Sequence, residues 1–226
     1  MDSAKLLRHS LKPIVLSVSL LACASASAAV YKGVEFPGGE ASFADMVVSY
    51  DPAYGGGPVP TATYQDATRA LGIPDYPEGT DPEYVSLGAG GRLVLRFTDN
   101  SLTGSGNTDL DLWIFEIGPD VEDTEVDISK DGSTWHSVGA VFGSTSGIDI
   151  DAYGFGPTDF FSFIRLTDVR SEGATSGATV GADIDAVGAI SSAPPVPPNG
   201  VPEPGILGLF GIGFAALALR GRRRTR

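Results

Sequence analysis

The chain has 226 residues, one Cys and two His, and its 28 Asp and Glu outnumber its 15 Lys and Arg. The charge is unevenly divided, because residues 29–204 contain seven Lys and Arg against 27 Asp and Glu, a net charge of −20. A surface of this charge repels nucleic acids and anionic lipids, so we expect neither as a partner of this region. Since the single Cys is Cys23, residues 29–204 contain no disulfide and must be held together by a hydrophobic core.

The N-terminal segment has the three parts of a secretory signal peptide. The first 12 residues carry three basic side chains, residues 14–22 form a short apolar run, and Ala26-Ser27-Ala28 is a small-residue cleavage pattern. We therefore predict a signal peptide at 1–28, cleaved after Ala28, and export by the Sec route. An alternative stays open, because Leu20-Leu21-Ala22-Cys23 resembles a lipobox that would make Cys23 a lipidated first residue.

The C-terminal end also has three consecutive parts. Pro202, Glu203 and Pro204 precede an uncharged apolar stretch at 205–219, and five of the last seven residues are Arg. An apolar segment followed by cations is typical of a stop-transfer sequence with its charges on the cytoplasmic side. At 1.5 Å per residue, this segment would span only ~22 Å of a hydrocarbon core of ~30 Å. The length favours temporary anchoring, and a plain tail anchor is the alternative.

This order of Pro-Glu-Pro, apolar helix and Arg cluster resembles the PEP-CTERM sorting domain over residues 201–226. The resemblance implies processing by an exosortase, a membrane-embedded enzyme of Gram-negative bacteria that make exopolysaccharide. Cleavage would fall at or near Pro202, Glu203 and Pro204. The protein would be held transiently in the inner membrane through the helix at 205–219, and then be delivered to the cell surface or the extracellular matrix.

Between the two signals, residues 29–192 are predicted to form one antiparallel β-sandwich domain, followed by a Pro-rich linker at 193–200. Short segments of alternating or branched residues, separated by Gly, Asn and Asp, predict its strands. These segments are 93–97, 111–116, 125–129, 135–138, 161–166 and 183–190. One or two helical turns are predicted at 63–71, with Gly72 just beyond them.

Asp131-Gly132 predicts a tight hairpin turn at residues 130–133. On the returning strand, Trp135 is expected to be buried in the core. Successive side chains of a strand point to opposite faces, so His136 is expected to face solvent.

Five segments, in their order, resemble cell-surface domains that occur on PEP-CTERM proteins. The segments are 70–75, 85–91, 109–116, 129–135 and 181–187. Those domains are similar to galactose-binding-like, or discoidin-type, β-sandwiches. The resemblance covers about residues 70–190 and implies a jelly-roll fold.

Side chains that serve the common catalytic mechanisms are scarce outside the predicted signals. His136 is the one remaining His and no Cys is left, which disfavours cysteine–histidine catalysis and zinc sites. Thr145, not Ser, is at the centre of 143–147, so this segment is not a nucleophile elbow. Acidic residues are so abundant that the sequence singles out no pair for glycoside hydrolysis. We therefore predict a non-catalytic polysaccharide-binding or matrix-structural module. The alternatives are an extracellular polysaccharide-active enzyme and a protein-binding adhesin.

Two groups of acidic residues are candidates for a structural Ca²⁺ site. A Gly-rich loop carries Asp99, Asn107, Asp109 and Asp111, and hard oxygen ligands of this kind suit Ca²⁺. The loop spacing differs from that of an EF-hand. Asp183 and Asp185 form the second candidate, because the two-residue period of a strand places them on one face. The alternative for both groups is that these residues cap turns and line a solvated rim.

Overall fold

The computed structural model describes residues 27–77, 82–118, 122–173 and 175–196. Nearly all of the predicted signal peptide, including Cys23, lies outside these ranges, as do Pro202, Glu203, Pro204 and the predicted helix at 205–219. Within the described ranges, no helix has the length and apolar character needed to cross a membrane.

The described residues form thirteen strands and four short 3₁₀ helices. The strands are β1 (Ala29–Tyr31), β2 (Val34–Phe36), β3 (Met46–Asp51), β4 (Val85–Ser86), β5 (Arg92–Arg96), β6 (Ser101–Leu102), β7 (Leu112–Glu116), β8 (Asp123–Ser129), β9 (His136–Phe142), β10 (Thr145–Ile148), β11 (Phe163–Asp168), β12 (Asp183–Ala189) and β13 (Ser192–Ala193). The 3₁₀ helices are Gly39–Ser42, Ala62–Tyr64, Ala67–Ala70 and Asp151–Tyr153.

Two antiparallel sheets enclose the main core. One has five strands in the order β3-β5-β11-β8-β9, and the other has four in the order β10-β7-β12-β4. Every pairing between the described strands is antiparallel. Both sheets contribute fully buried side chains to one cluster, such as Leu95 and Ile164 from the first and Ile114 and Val187 from the second. The predicted all-β antiparallel sandwich is therefore confirmed.

Most of the predicted elements are present with shifted ends. The segments predicted at 93–97, 111–116, 125–129, 161–166 and 183–190 correspond to β5, β7, β8, β11 and β12. The helical prediction at 63–71 corresponds to two 3₁₀ turns, because the Asp66 side chain accepts a hydrogen bond from the Thr68 amide and starts a separate turn. Gly72 follows with φ of +78°.

The hairpin between β8 and β9 has a longer loop than predicted, running from Lys130 to Trp135. The Asp131 carboxylate accepts hydrogen bonds from the Ser133 and Thr134 amides, each at 2.7 Å. These bonds hold the pKa of Asp131 well below its ordinary value. The carboxylate thereby organises the loop, and strand pairing resumes only at His136.

The predicted orientations of Trp135 and His136 are wrong. Trp135 is only half-buried, and the Arg165 guanidinium lies 4.3 Å from its ring centroid. The His136 ring instead contacts the Phe155 and Phe161 rings, with centroids 5.1 and 6.3 Å away. The reason is the period of β9: Val138 is buried in the core, and a residue two positions earlier shares its face.

The N-terminal hairpin β1–β2 covers the outer face of the four-stranded sheet. Phe36 and Phe43 are fully buried there against Phe115 and Ala186, in a second core cluster. Gly188 of β12 makes this contact possible, because a Cβ at that position would lie 2.6 Å from a Phe36 ring carbon and 2.9 Å from one of Phe43. The first residues after the predicted signal cleavage thus belong to the folded domain.

The last strand extends slightly beyond the predicted boundary at residue 192. β13 includes Ala193 and pairs with β6, and the Ser101 hydroxyl donates to the Ala193 and Pro194 carbonyls at 3.3 and 3.0 Å. All thirteen strands and both core clusters lie within residues 29–196. A fragment of this length therefore contains the complete core, and we expect it to fold on its own.

Candidate functional site

A cleft of about 280 Å³ opens beside the N-terminal hairpin, where several parts of the chain meet at the ends of β7, β10 and β12. Its polar lining consists of Lys32, Tyr76, Glu116, Ser144, Thr145 and Asp185. The strand pairings bring these parts of the chain together, because Phe115 of β7 is opposite both Ala186 of β12 and Thr145 of β10. The pairing between β12 and β7 is irregular between Ile184 and Ala186, and Asp185 lies in that bulge. A bulge often redirects a side chain towards a site.

Asp185 is the most deeply buried of the polar groups that line the cleft. Its side chain is 1% exposed, its Oδ1 accepts a hydrogen bond from the Asp75 amide at 3.4 Å, and its Oδ2 is buried without a hydrogen-bond partner. Burial raises the pKa of Asp185 to about 7 and the Asp75 carboxylate adds to the rise, whereas the Asp75 and Tyr76 amides and the Lys32 cation oppose it. Near neutral pH the carboxyl group can therefore accept a hydrogen bond or, when protonated, donate one.

Three tyrosines form a row that ends at the cleft. The Tyr64 ring stacks on Tyr84 with centroids 5.4 Å apart, and Tyr84 meets Tyr76 edge to face at 5.7 Å. Tyr76 lines the cleft and is 36% exposed. An aromatic ring beside buried polar groups offers a ligand both an apolar face and hydrogen-bonding groups.

Asp183 does not join Asp185 in one set of ligands. Its carboxylate accepts a hydrogen bond from the Ser86 hydroxyl, whereas Asp185 faces Asp75 and Lys32. Burial raises the pKa of Asp183 to about 7, and the nearby Glu122 and Asp168 carboxylates add to the rise. The bulge at Asp185 breaks the two-residue period from which the sequence analysis placed the pair on one face.

The structure brings together a different group of carboxylates. Asp111, Asp149 and Asp151 each place a carboxylate oxygen within 4.8 Å of the others. Asp111 directly precedes β7, and Asp149 directly follows its partner β10, where Leu112 is paired with Ile148. The antiparallel pairing therefore holds the first two acids opposite each other, and the 3₁₀ turn that begins at Asp151 adds the third.

Of the four loop residues predicted as calcium ligands, Asp111 alone belongs to this group. The Asp109 side chain is exposed, and Asn107 uses its side-chain oxygen to accept the Asp109 amide at 2.6 Å. Asp99 is exposed, and its pKa is raised by partial desolvation of its carboxyl group and by the neighbouring Asp45 carboxylate. The loop therefore does not bring the side-chain oxygens of the four predicted ligands together at one position.

Sequence reasoning missed Asp149 and Asp151, and it also missed the cleft around Glu116 and Tyr76. The segment 143–147 was considered only as a possible nucleophile motif, although residues 145–148 form strand β10. A signal was present, since Asp149-Ile150-Asp151 alternates directly after that segment. Its meaning depends on which strand β10 pairs with, which one sequence does not specify.

Comparisons with known proteins bear mainly on the C-terminus. The model of the PEP-CTERM protein-sorting motif matches residues 200–224, which include Pro202, Glu203 and Pro204. The match confirms the predicted sorting motif and implies an exported protein sorted by an exosortase. No curated protein matches the chain. Among solved structures, the C-terminal domain of a chitobiase from Bacteroides fragilis is similar at 13% identity and a TM-score of 0.30, over 65% of this chain and 95% of that chain.

Proposed function

We propose that this protein is a non-catalytic glycan-binding module, exported and sorted to the cell surface or extracellular matrix of a Gram-negative bacterium. The observation that carries the proposal is Asp185, a buried carboxyl group with an unsatisfied oxygen in a cleft beside the tyrosine row. The fold is a galactose-binding-like jelly roll. The signal peptide at 1–28 directs export, and strand β1 begins at Ala29, the predicted new N-terminus.

The chemistry of the cleft matches a sugar better than an apolar or nucleotide ligand. Sugar hydroxyls both donate and accept hydrogen bonds, as do the Ser144 and Thr145 hydroxyls and a carboxyl group that titrates near pH 7. The exposed ring of Tyr76 offers an apolar face to the C–H groups of a sugar ring. The cleft is smaller than sites for drug-sized ligands, which fits a single sugar residue of a polysaccharide.

A second candidate function is glycoside hydrolysis, because two carboxyl groups, Glu116 and Asp185, line the same cleft. A raised pKa such as that of Asp185 is a property of a general acid. The same raised pKa follows from burial alone, and it serves hydrogen bonding equally well. Among the described residues that line the cleft there is no His or Cys, so carboxylate catalysis would depend on this pair.

The binding proposal predicts that the 29–196 fragment retains the host's own exopolysaccharide in a pull-down or calorimetric assay and releases no reducing sugar from it. Asp185→Asn and Tyr76→Ala should each weaken binding about tenfold, because each removes one direct contact worth roughly 1.5 kcal/mol. Tyr54→Ala is the matched control, since Tyr54 is an exposed tyrosine stacked under Arg92 and does not line the cleft.

Two results would contradict this proposal. Binding that survives both cleft substitutions would place the glycan site elsewhere. Release of reducing sugar that is abolished by Glu116→Gln would show that the domain is a hydrolase.

The sorting assignment predicts a shortened C-terminus. Protein recovered from the cell surface or medium should end near Pro204 in mass spectrometry and lack the Arg-rich residues 220–226. Replacing Pro202, Glu203 and Pro204 together with Ala should leave the protein in the membrane fraction with those residues attached. An intact C-terminus on released wild-type protein would contradict exosortase processing.

A further inference from the structure

We propose that Asp111, Asp149 and Asp151 form a structural Ca²⁺ site that joins the ends of β7 and β10 to the loop after β6. The site is separate from the glycan cleft and uses only one of the residues that the sequence analysis considered for calcium.

The first argument is the spacing of the three carboxylates. Ca²⁺ binds oxygen ligands at roughly 2.3–2.6 Å, so two ligands of one ion lie at most about 5 Å apart. The carboxylate oxygens of Asp111, Asp149 and Asp151 lie within 4.8 Å of one another, which meets this limit. Oxygen ligands without His or Cys favour a hard cation over a transition metal.

The second argument is the state of Asp111, which is independent of the clustering. This side chain is fully buried, its Oδ2 accepts the Ile150 amide at 3.0 Å, and its Oδ1 is buried without a hydrogen bond of normal geometry, the Ser191 and Ser105 hydroxyls being the polar side chains beside the carboxylate. A buried carboxylate oxygen that lacks a partner is costly unless a cation or donor satisfies it. A cation bound by all three side chains supplies that partner.

The third argument is that no cation among the described residues forms an ion pair with these carboxylates. The ion pairs between the described residues join Arg69 to Asp66, Lys130 to Asp159 and Arg165 to Asp127. None of them includes a member of the cluster. In a region with a net charge of −20, a divalent ion would relieve both the local and the overall repulsion.

The surroundings already orient the ligands. Asp151 accepts hydrogen bonds from the Gly106 amide at 3.0 Å and the Ser105 hydroxyl at 3.3 Å, and Asp149 accepts the Asp151 amide at 2.9 Å. Gly104 allows the loop after β6 to approach the Asp151 carboxylate closely, because a Cβ at this position would lie 2.7 Å from Asp151 Oδ2. Each carboxylate thus keeps a fixed position with oxygen capacity left for an ion.

The site would act as a cross-link. The backbone carbonyl of Asp111 accepts the Ile190 amide of the chain after β12 at 2.7 Å, so fixing Asp111 also fixes the end of the central strand. The domain contains no disulfide, and an ion joining these segments would replace one. Binding to the folded state alone raises stability by linkage.

The experiment is thermal unfolding of the 29–196 fragment in chelator, in millimolar Ca²⁺ and in equal Mg²⁺. We expect Ca²⁺ to raise the Tm by roughly 5–10 °C at a hundredfold excess over its dissociation constant. Mg²⁺ should raise the Tm by less than half as much, because it prefers a tighter octahedral shell that retains water. Isothermal calorimetry should give one Ca²⁺ per chain.

Three substitutions locate the site. Asp111→Asn should abolish the calcium response without lowering the Tm in chelator, because it removes an uncompensated buried charge. Asp149→Asn keeps an oxygen that can cap the 3₁₀ turn and should also lose most of the response. Asp109→Asn, two positions from Asp111 but exposed, is the matched control and should keep the full response.

The proposal is overturned by any of three results. These are a wild-type fragment whose Tm does not respond to Ca²⁺, an equal response to Mg²⁺, and a full calcium response in both Asp111→Asn and Asp149→Asn. Loss of the response in Asp109→Asn but not in Asp111→Asn would place the ion in the exposed loop instead.

Discussion

Replacing Phe36 with Ala is expected to lower the free energy of unfolding by about 3–5 kcal/mol, the range for truncating a buried Phe. Phe36 is fully buried in the second core cluster, with its ring centroid 4.6 Å from that of Phe43 and 6.0 Å from that of Phe115. Its removal leaves a cavity between the N-terminal hairpin and the four-stranded sheet. Gly188 lies under the same ring, so no side chain of β12 can fill the space.

Chemical denaturation of the 29–196 fragment measures this loss, and Val30→Ala is the control from the same hairpin. Val30 is 66% exposed, so its truncation should change the free energy of unfolding by less than 0.5 kcal/mol. A loss below 1 kcal/mol for Phe36→Ala would mean that the hairpin detaches without unfolding the sandwich. The N-terminal residues would then be an appendage of the domain and not part of its core.

Most strands of the sandwich could be predicted because each of them carries its own local signal, whereas β3, β4 and β10 were not predicted. The strands β5, β7, β8, β11 and β12 combine branched or aromatic residues with flanking turn residues, and all five were found from these features. The hairpin β1–β2 was missed, because its three-residue strands are too short to show a period. Strands of this length are formed by tertiary packing, here of Phe36 on Phe43 and Phe115.

Faces and sites were harder to predict than strands, since both depend on long-range pairing. The two-residue period placed Trp135 and His136 on opposite faces but assigned the wrong face to each, since Arg165 packs on the Trp135 ring and His136 contacts Phe155 and Phe161. Asp111 was a calcium candidate from its loop, whereas Asp149 becomes its neighbour only through the pairing of β7 with β10. Asp185 was singled out, but its redirection into the cleft comes from a bulge that no local pattern predicts.

The sorting signal was predictable for the opposite reason. The sorting motif is a short linear segment, so the order of Pro-Glu-Pro, apolar residues and Arg carries the information without any fold. Function that depends on a linear motif can be inferred from sequence, whereas function that depends on a cleft requires the pairing of strands that lie far apart in the chain.

The second large effect expected is a loss of stability as the pH rises from about 5 to about 8. Burial raises the pKa of both Asp183 and Asp185 to about 7, from an unfolded value of about 4. Between these values the folded state binds more protons than the unfolded state, so the free energy of unfolding falls as the pH rises. Below pH 4 the trend reverses, because Asp131 and Asp159 have pKa values lowered by hydrogen bonds and lose them on protonation.

The groups facing each carboxyl support this direction. Asp185 faces the Asp75 carboxylate and the Lys32 cation, and Asp183 faces Glu122 and Asp168 together with the Ser86 hydroxyl. Apart from Lys32, the charged neighbours are acidic, so ionisation at neutral pH adds repulsion to the cost of burial. The 29–196 fragment in chelator should therefore have a higher Tm at pH 5 than at pH 8.

Asp185→Asn isolates the contribution of one group, because an amide keeps the size and the acceptor oxygen of the side chain but cannot ionise. A pKa elevation of one unit corresponds to about 1.4 kcal/mol, so the variant should be at least 1 kcal/mol more stable than wild type at pH 8. Its Tm there should rise by at least about 2–4 °C, with a clearly smaller rise at pH 5, where the folded carboxyl group is protonated. Asp109→Asn, which removes an exposed charge, should leave the pH dependence unchanged.

A Tm that rises from pH 5 to pH 8 in the wild-type fragment, or an equal gain at both pH values in Asp185→Asn, would show that this carboxyl group does not titrate near 7. The gain at pH 8 combined with weaker glycan binding would mean that the buried charge is kept for the ligand at the expense of stability.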